Sequence, residues 1–197
     1  NPVINITLML LIVIGGIGFV TWEDIENNKY HFKRYKMQSK LIIVTTAVLI
    51  TVPAIIFMIN DMMTGSERMP VFKALFQSVT LRTAGFNTVD LNAMKQASVM
   101  IMIILMLIGG SPGSTAGGMK TTTFAVLIAN AFAVFRNKED AHFFGRRIES
   151  GTVKNASTIL VMYIALFLGG ALVISSVEGL PIGVCFFETA SAVGTVG

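Results

Sequence analysis

Two short segments of the chain end in residues whose backbone oxygens could replace the water around a cation. The first runs PVFKALFQSVTLRTAG from Pro70, and the second runs PIGVCFFETASAVGTVG from Pro181. Gln77 in the first copy matches Glu188 in the second, and one residue is inserted before the copies close. The closing residues are Thr83, Ala84 and Gly85 in the first copy and Thr195, Val196 and Gly197 in the second.

Each copy has the length and the ends expected of a re-entrant segment, which enters a membrane and leaves on the same side. Its apolar part is too short to span a bilayer, and it begins with proline, which is favoured at helix starts. The short helix would aim its negative end at a cation, and glycine lets the backbone present carbonyls in unusual conformations. A ring of carbonyls coordinates an ion without a side-chain charge to trap it, so both copies are predicted to be ion-filter segments.

Three side chains are expected to support these segments. Arg82 lies inside the first filter segment, where it would repel a cation unless it points away. It is therefore predicted to brace the loop by donating to carbonyls or to Glu188. Gln77 and Glu188 occupy equivalent places, and each is expected to hold its short helix by hydrogen bonding. The alternative for Glu188 is direct contact with the ion.

A second unusual stretch runs from Ala97 to Phe135. As an unbroken helix these 39 residues would be about 58 Å long, against a hydrocarbon core of about 30 Å. Its glycine-rich middle would break a helix, and membranes tolerate such a break only where it is buried or lines a water-filled cavity. A flexible gating loop that obstructs the pore beneath the filter is therefore predicted. It comprises Gly109, Gly110, Ser111, Pro112, Gly113, Ser114, Thr115, Ala116, Gly117, Gly118 and Lys120.

The same loop is similar to a phosphate-binding P-loop of the form GxxxxGK[ST]. Met119 separates Gly118 from Lys120, however, and no parallel sheet is available to present the loop, so a nucleotide site is disfavoured. A lysine inside a membrane costs roughly 2.5 to 3.5 kcal/mol, which makes Lys120 a functional candidate. Its alternative is snorkelling of the ammonium toward the cytoplasmic interface.

The composition is that of a membrane protein. With 53% hydrophobic and 13% charged residues and a mean hydropathy of +0.72, the chain is too apolar for a soluble domain of this length. Charge-free stretches near the roughly 20 residues of a spanning helix recur along it, and β-barrel alternation is absent. The chain is predicted to be an all-α integral membrane protein in contact with the lipid bilayer.

Ten of the fifteen Lys and Arg residues lie in two hydrophilic stretches, at 23–40 and 136–154. Under the positive-inside rule both are predicted to be cytoplasmic loops whose charges orient the helices. The alternative is a docking surface for a soluble partner, and nucleic acid is not expected despite a net charge of +4. Cys185 is the only cysteine, and the two histidines lack metal-ligand spacing, so no disulfide, resident metal centre or enzyme active site is expected.

These two loops set a topology for the whole chain. A first span at 3–21 carries GGIGF at its end, small residues that would let another helix approach closely. A second span at 41–59 returns the chain outward ahead of the first filter segment. The broken stretch then leads inward, and a span at 158–177 leads outward again. Both filter segments are therefore predicted to enter the membrane from the outer face.

Three motifs closely resemble the potassium-translocating subunits of the bacterial Ktr and Trk systems, which are related to plant HKT transporters. They are SVTLRTAGFNTVD at 78–90, GGSPGSTAGGMKTTT at 109–123 and FFETASAVGTVG at 186–197. The resemblance covers essentially the whole chain, and the filter sequences are most similar to those of the sodium-dependent Ktr subunits.

The resemblance implies a multi-pass protein of the bacterial cell membrane that takes up K+, held at the filter carbonyls. Na+ would be an activating ion, and no cofactor is implied in this chain. The implied partners are a cytoplasmic RCK-type, nucleotide-binding (KtrA-like) regulatory subunit and a second pore subunit in a homodimer.

The resemblance also implies a fold: helix, re-entrant pore-loop and helix units repeated around a pseudo-fourfold pore, of which this chain carries about half. Gly85 and Gly197 would be the third and fourth filter glycines. On that template the chain divides into the inner helix of the second unit (1–22), a cytoplasmic loop (23–40), the third unit (41–135) with its pore loop at 70–90 and intramembrane loop at 109–120, a second cytoplasmic loop (136–154), and the truncated outer helix and pore loop of the fourth unit (155–197).

One alternative of the same class is a two-repeat cation channel subunit that dimerises to form a four-loop pore. An intramembrane enzyme and a purely structural membrane module are alternatives from other classes. Two further pore-loop units upstream of Asn1 would support the four-unit chain, whereas a start codon there would support the dimer.

Overall fold

The computed structural model describes residues 2–29, 31–62, 70–89 and 94–197. Glu67 and Arg68, which lie between the second predicted span and the first filter segment, fall outside these ranges. So does Asp90, the last residue of the predicted pore loop. Within the ranges the chain forms the helices α1 (Pro2–Ile17), α2 (Phe19–Asn28), α3 (Met37–Met62), α4 (Val71–Thr80), α5 (Gln96–Ile108), α6 (Thr121–Phe135), α7 (Ser150–Glu178) and α8 (Ile182–Gly194).

Two of these helices are long and apolar enough to cross a membrane. They are α3, with 26 residues, and α7, with 29 residues. A third candidate is the pair α1 and α2, which is bent by 93°. The helices α5, α6 and α8 are apolar but shorter, as the glycine-rich break and the re-entrant segments predict. The helical membrane fold expected from composition is therefore confirmed.

The chain turns sharply at Gly18, where a single span at 3–21 was expected. Gly18 has φ +93°, and a Cβ there would lie 2.5 Å from the carbonyl oxygen of Pro112, so this turn requires glycine. The Trp22 indole N–H donates to the Ile14 carbonyl across the turn, at 2.9 Å. The small residues of GGIGF thus admit the intramembrane loop rather than another helix.

The helix pairs around the two short helices correspond to each other. The long helix α3 packs against α4, and the long helix α7 packs against α8. Each short helix also contacts a second helix: α4 contacts α1, and α8 contacts α5. The principal apolar core lies between these elements and includes Phe57, Ala74, Met102, Met106 and Ala190. The sequence repeat is therefore also a repeat of packing.

The first basic loop is fastened to the membrane helices by Asp24. The backbone N–H of Lys36 donates to Asp24 Oδ2 at 2.7 Å, and Asn28 Nδ2 donates to Oδ1 at 2.8 Å. The carboxylate therefore joins α2 to the start of α3.

The second basic loop contains a β-hairpin that an all-α prediction leaves out. The strands β1 (His142–Phe143) and β2 (Arg146–Arg147) pair antiparallel. Both residues of the turn have positive φ, +48° at Phe144 and +76° at Gly145, as a two-residue type I′ turn requires. Phenylalanine is not a residue that favours this conformation, so the turn had little local signal.

Candidate ion filter and intramembrane loop

Each short helix begins directly after its proline. Pro70 and Pro181 are the N-cap residues, and their carbonyl oxygens accept hydrogen bonds from the backbone N–H groups of the third and fourth residues of α4 and α8. The first short helix, predicted to begin at Pro70, runs Val71–Thr80. Proline sacrifices no helical hydrogen bond at this place, because the first N–H groups of a helix have no partner within it.

The two filter segments share one unusual backbone conformation. The threonines have positive φ, +75° at Thr83 and +56° at Thr195, and the glycines that end the segments have +71° at Gly85 and +94° at Gly197. The residue between them has negative φ in both copies. In extended backbone, successive carbonyls point to opposite sides of the strand. Alternation of positive and negative φ from one residue to the next turns the carbonyls toward one side.

A β-branched residue with positive φ is strained by about 1 to 3 kcal/mol. Both threonines are held there by hydrogen bonds from the following backbone to the end of the short helix. Ala84 and Gly85 donate to the Thr80 carbonyl at 3.0 and 3.2 Å, and Val196 donates to the Ser191 carbonyl at 2.9 Å. Equivalent residues, Thr80 and Ser191, thus anchor the two segments.

The two segments also approach each other closely. A Cβ on Gly85 would lie 2.4 Å from the Val196 carbonyl oxygen and 3.2 Å from that of Gly197. Only glycine permits this approach, because no real Cβ sits so near a backbone oxygen. A small cavity of about 50 Å³ lies beside them, and its wall includes Gln77 and Thr80. The structure thus brings the six predicted filter residues into one region.

The predicted gating loop is compact and internally hydrogen-bonded. The backbone N–H of Gly110 donates to the Gly117 carbonyl at 3.2 Å, and that of Lys120 donates to the Ile108 carbonyl at 3.0 Å. A Cβ on Gly109 would lie 2.2 Å from the Gly117 oxygen. The glycines therefore let the two arms of the loop pack backbone against backbone.

The loop contacts the second filter segment and the turn between α1 and α2. A Cβ on Gly117 would lie 1.9 Å from Oγ1 of Thr195, so the loop backbone rests against that side chain. On the other side, the Phe19 N–H donates to the Gly113 carbonyl at 3.0 Å, and the Ser111 N–H donates to the Gly16 carbonyl at 3.1 Å. The loop is thus held between the filter and α1.

Lys120 is folded into the loop. Its Nζ donates to the Ala116 carbonyl at 2.5 Å, and its side chain is half-buried. Lys120 also has φ +88°, which is a strained conformation for a non-glycine residue. The ammonium thus closes the loop on itself.

The predicted supporting residues have different surroundings. Arg82 is 5% exposed, and its Nε and Nη2 donate to the Gly109 carbonyl at 3.4 Å and to Thr46 Oγ1 at 3.5 Å. Glu188 is exposed, and among the described residues it forms no ion pair with Arg82. Gln77 is buried, and its Nε2 donates to Asn87 Oδ1 at 3.5 Å.

Thr46 is the partner that sequence reasoning missed. It lies on α3 in the middle of an apolar span, where it is 5% exposed. A buried hydroxyl in a membrane helix needs a hydrogen-bond partner. The threonine within the predicted span at 41–59 was therefore a sign in the sequence that a polar partner lies beside this span. Arg82 thereby links the first filter segment to α3 and to the start of the intramembrane loop.

Comparisons with known proteins agree with this architecture. The sequence pattern of TrkH, described as a cation transport protein, matches residues 1–197. The potassium/sodium uptake protein NtpJ of Enterococcus hirae is 36% identical over 207 residues, which cover 100% of this chain and 46% of that protein. The Ktr system potassium uptake protein B of Bacillus subtilis is 32% identical over 203 residues, which cover 100% of this chain and 45% of that protein.

A solved structure shares the fold. The potassium transporter TrkH from Vibrio parahaemolyticus superposes with a TM-score of 0.79 at 19% identity, covering 100% of this chain and 44% of that one. The chain spans about half the length of the curated relatives it matches. With the family pattern matched from end to end and relatives above 30% identity, this chain belongs to the TrkH family of cation transport proteins.

Proposed function

We propose that this chain supplies two filter segments and an intramembrane gate to a protein that takes up K+ across the bacterial cell membrane. The observation that carries the proposal is the repeated backbone of the two segments. Both have positive φ at the threonine and the glycine, and they meet where Gly85 faces the Val196 carbonyl. Two unrelated turns would have no reason to share this strain and to converge.

The chemistry of the filter follows from neutral oxygens. A cation entering the pore exchanges hydration water for backbone carbonyls, and the absence of a fixed charge lets the ion leave again. The negative ends of α4 and α8 precede the filter segments and favour a cation there. The Arg82 guanidinium donates to Thr46 of α3 and to the Gly109 carbonyl of the intramembrane loop. Because these groups hold it, its charge does not compete with the ion.

The ion and the partners are proposed by likeness. Relatives are named as potassium or potassium/sodium uptake proteins, which supports K+ as the transported ion. Na+ as an activating ion is proposed from the motif resemblance alone. Their description as parts of a Ktr system supports a transporter of more than one component. The cytoplasmic RCK-type nucleotide-binding subunit and the homodimer of pore subunits are proposed from the motif resemblance alone. Because the relatives are about twice as long as this chain, they favour a four-segment pore in one polypeptide over a dimer of two-repeat subunits.

The intramembrane loop would act as the gate. It lies against Thr195 of the second filter segment and is closed by the Lys120 ammonium on the Ala116 carbonyl. Opening would require the loop to give up this bond and its contact with the filter. A regulatory subunit would bias that step from the cytoplasmic side.

The filter assignment is tested with Gly85→Ala in the full-length protein, expressed in cells that lack other potassium uptake systems. The alanine would meet the Val196 oxygen and sit at φ +71°. We expect K+ uptake to fall by roughly tenfold or more, or K+ over Na+ selectivity to be lost. Gly169→Ala on α7 is the matched control, because a Cβ there meets nothing within 4 Å. Unchanged uptake and selectivity in Gly85→Ala would sink the assignment.

The gate is tested with Lys120→Met, which removes the bond to Ala116. We expect K+ flux in the absence of the cytoplasmic partner to rise several-fold, while Lys120→Arg keeps a donor and changes less. Shortening the loop at 109–118 should raise flux in the same way. Lys154→Met, at an exposed lysine of α7, serves as the control. A Lys120→Met protein whose flux still depends fully on the partner would count against the gate.

A further inference from the structure

A groove of about 230 Å³ lies at the C-terminal end of α6, beside the second basic loop, which is predicted to be cytoplasmic. One part of its wall is apolar and is formed by α6, with Ala129 and Phe132. The other part carries cationic and polar groups from the end of α6 and from the hairpin: Arg136, Lys138 and His142. The groove therefore combines an apolar wall with a basic mouth.

The basic mouth is held in place by the way α6 ends. The backbone N–H of Lys138 donates to the Ala133 carbonyl at 2.9 Å, and that of Asn137 donates to the Val134 carbonyl at 3.0 Å. Asn137 has φ +51°, so the chain leaves the helix in a Schellman motif. Arg136 and Lys138 thus stand on a fixed turn rather than on a mobile linker.

The hairpin is fixed against the same helix. Ala141 and Ile148 are buried, 3% and 4% exposed, and the Ile148 N–H donates to the Ala141 carbonyl at 2.8 Å. Phe143 packs with them against Ala133 of α6 and Ala156 of α7. This packing keeps His142 at the groove, with its Nδ1–H donating to the Asp140 carbonyl at 3.1 Å.

The charges at the mouth are not balanced. Asp140 is the acidic residue of the wall, and its Oδ2 is already paired with Nε of Arg147 at 2.7 Å. Arg136 and Lys138 are exposed, and among the described residues neither has a carboxylate within ion-pair distance. Two cations are therefore available to an anion.

We propose that this groove binds an anionic phospholipid of the cytoplasmic leaflet, with the phosphate on Arg136 and Lys138 and an acyl chain along Phe132. The charge complementarity is direct, since Arg and Lys donate to phosphate oxygens and the inner leaflet is negatively charged. The apolar wall selects a lipid over a soluble anion: Phe132 is 61% exposed on α6, which is an apolar helix.

The test uses the full-length protein, purified in detergent and freed of lipid, with phosphatidylglycerol and phosphatidylcholine as probes. Bound lipid is counted by native mass spectrometry during titration. We expect phosphatidylglycerol to bind more tightly than phosphatidylcholine, and Arg136→Gln/Lys138→Gln to weaken its binding by roughly 25-fold, since each basic residue near the surface contributes about fivefold. Both side chains are exposed, so the variant is expected to fold.

The matched control is Lys33→Gln/Arg34→Gln, which removes two charges from the first basic loop and leaves the groove intact. It should retain phosphatidylglycerol within about twofold of the parent protein. Equal losses in both variants would mean that the basic face attracts lipid without a site, and would overturn the proposal. So would equal binding of the two lipids, or no effect of Arg136→Gln/Lys138→Gln, as expected if another part of the protein fills the groove.

A second pair of variants tests the acyl arm. Phe132→Ala removes part of the apolar wall, whereas Phe135→Ala, one turn away, removes a phenylalanine that is 85% exposed and does not line the groove. Phe132→Ala should weaken long-chain phosphatidylglycerol several-fold and leave a short-chain analogue unaffected. Equal effects of the two substitutions would contradict seating of the chain along α6.

Discussion

The two filter segments have the same backbone but different side-chain surroundings. Their short helices bury the same face, because equivalent positions are buried in both. The pairs are Ala74 and Cys185, Ser78 and Thr189, and Val79 and Ala190. The difference lies at the position just before Ser78 and Thr189. There Gln77 is 1% exposed, whereas Glu188 is exposed.

Neighbouring elements account for this difference. Gln77 lines a cavity wall with Met102 and Met106 of α5, the helix that follows the first filter segment. Glu188 instead lines a wide cleft of about 750 Å³ between α8 and the first part of the same helix, with Gln96, Val99 and Met100. The comparison teaches that the helix end and the glycine set the carbonyl geometry, while the space between the short helix and α5 decides which side chain is tolerated beside it.

The largest effect expected from this comparison comes from giving the first copy the residue of the second. Gln77→Glu would bury a carboxylate beside Gln77's apolar neighbours, which costs about 3 kcal/mol or more when no cation is near. Glu188→Gln, the reverse exchange, should change stability little, because the side chain is exposed. Thermal unfolding of the detergent-solubilised full-length protein measures both. Similar losses in the two variants would break the comparison and show that Glu188 is covered in the whole protein.

A smaller difference is expected at the residues that anchor the two segments. Ser191 Oγ donates to the Gly197 carbonyl at 3.2 Å, whereas the buried Oγ1 of Thr80 has no hydrogen-bond partner among the described residues. Ser191→Ala should therefore destabilise the protein by about 1 kcal/mol, and Thr80→Val should be neutral or stabilising. The same thermal unfolding resolves the sign. A destabilising Thr80→Val would mean that its hydroxyl has a role in the first copy as well.

The smallest effect is expected at the middle residue of the filter. Ala84 and Val196 are both partly buried and both have negative φ, so Ala84→Val gives the first copy the sequence Thr-Val-Gly of the second. K+ uptake should change by less than about twofold, because valine favours extended backbone. A loss as large as that of Gly85→Ala would show that side-chain size, and not backbone conformation alone, sets the filter.

Local sequence signals predicted the elements that depend on local chemistry. The prolines at 70 and 181 marked the starts of α4 and α8, and the run of glycines broke the long stretch between Ala97 and Phe135. Both predictions rest on residues that act on their own backbone. The apolar spans α3 and α7 followed from length and hydropathy in the same way.

Other features depend on contacts between distant residues and left little local trace. The 93° turn at Gly18 is fixed by the Pro112 and Gly113 carbonyls, far along the chain. Arg82 was predicted to donate hydrogen bonds to carbonyls or to Glu188. It contacts the Gly109 carbonyl and a threonine of α3, because α3 packs along α4.

The turn at Gly18 has a practical consequence for testing the proposed gate. Through the bond from Phe19 to Gly113, the membrane end of α2 is tied to the loop, and its other end carries the exposed Asn27. A ten-residue helix is a rod of about 15 Å, so small rotations at the loop become larger displacements at its tip. A spin label or fluorophore at Asn27 would thus report on the conformation of the intramembrane loop from a site outside that loop.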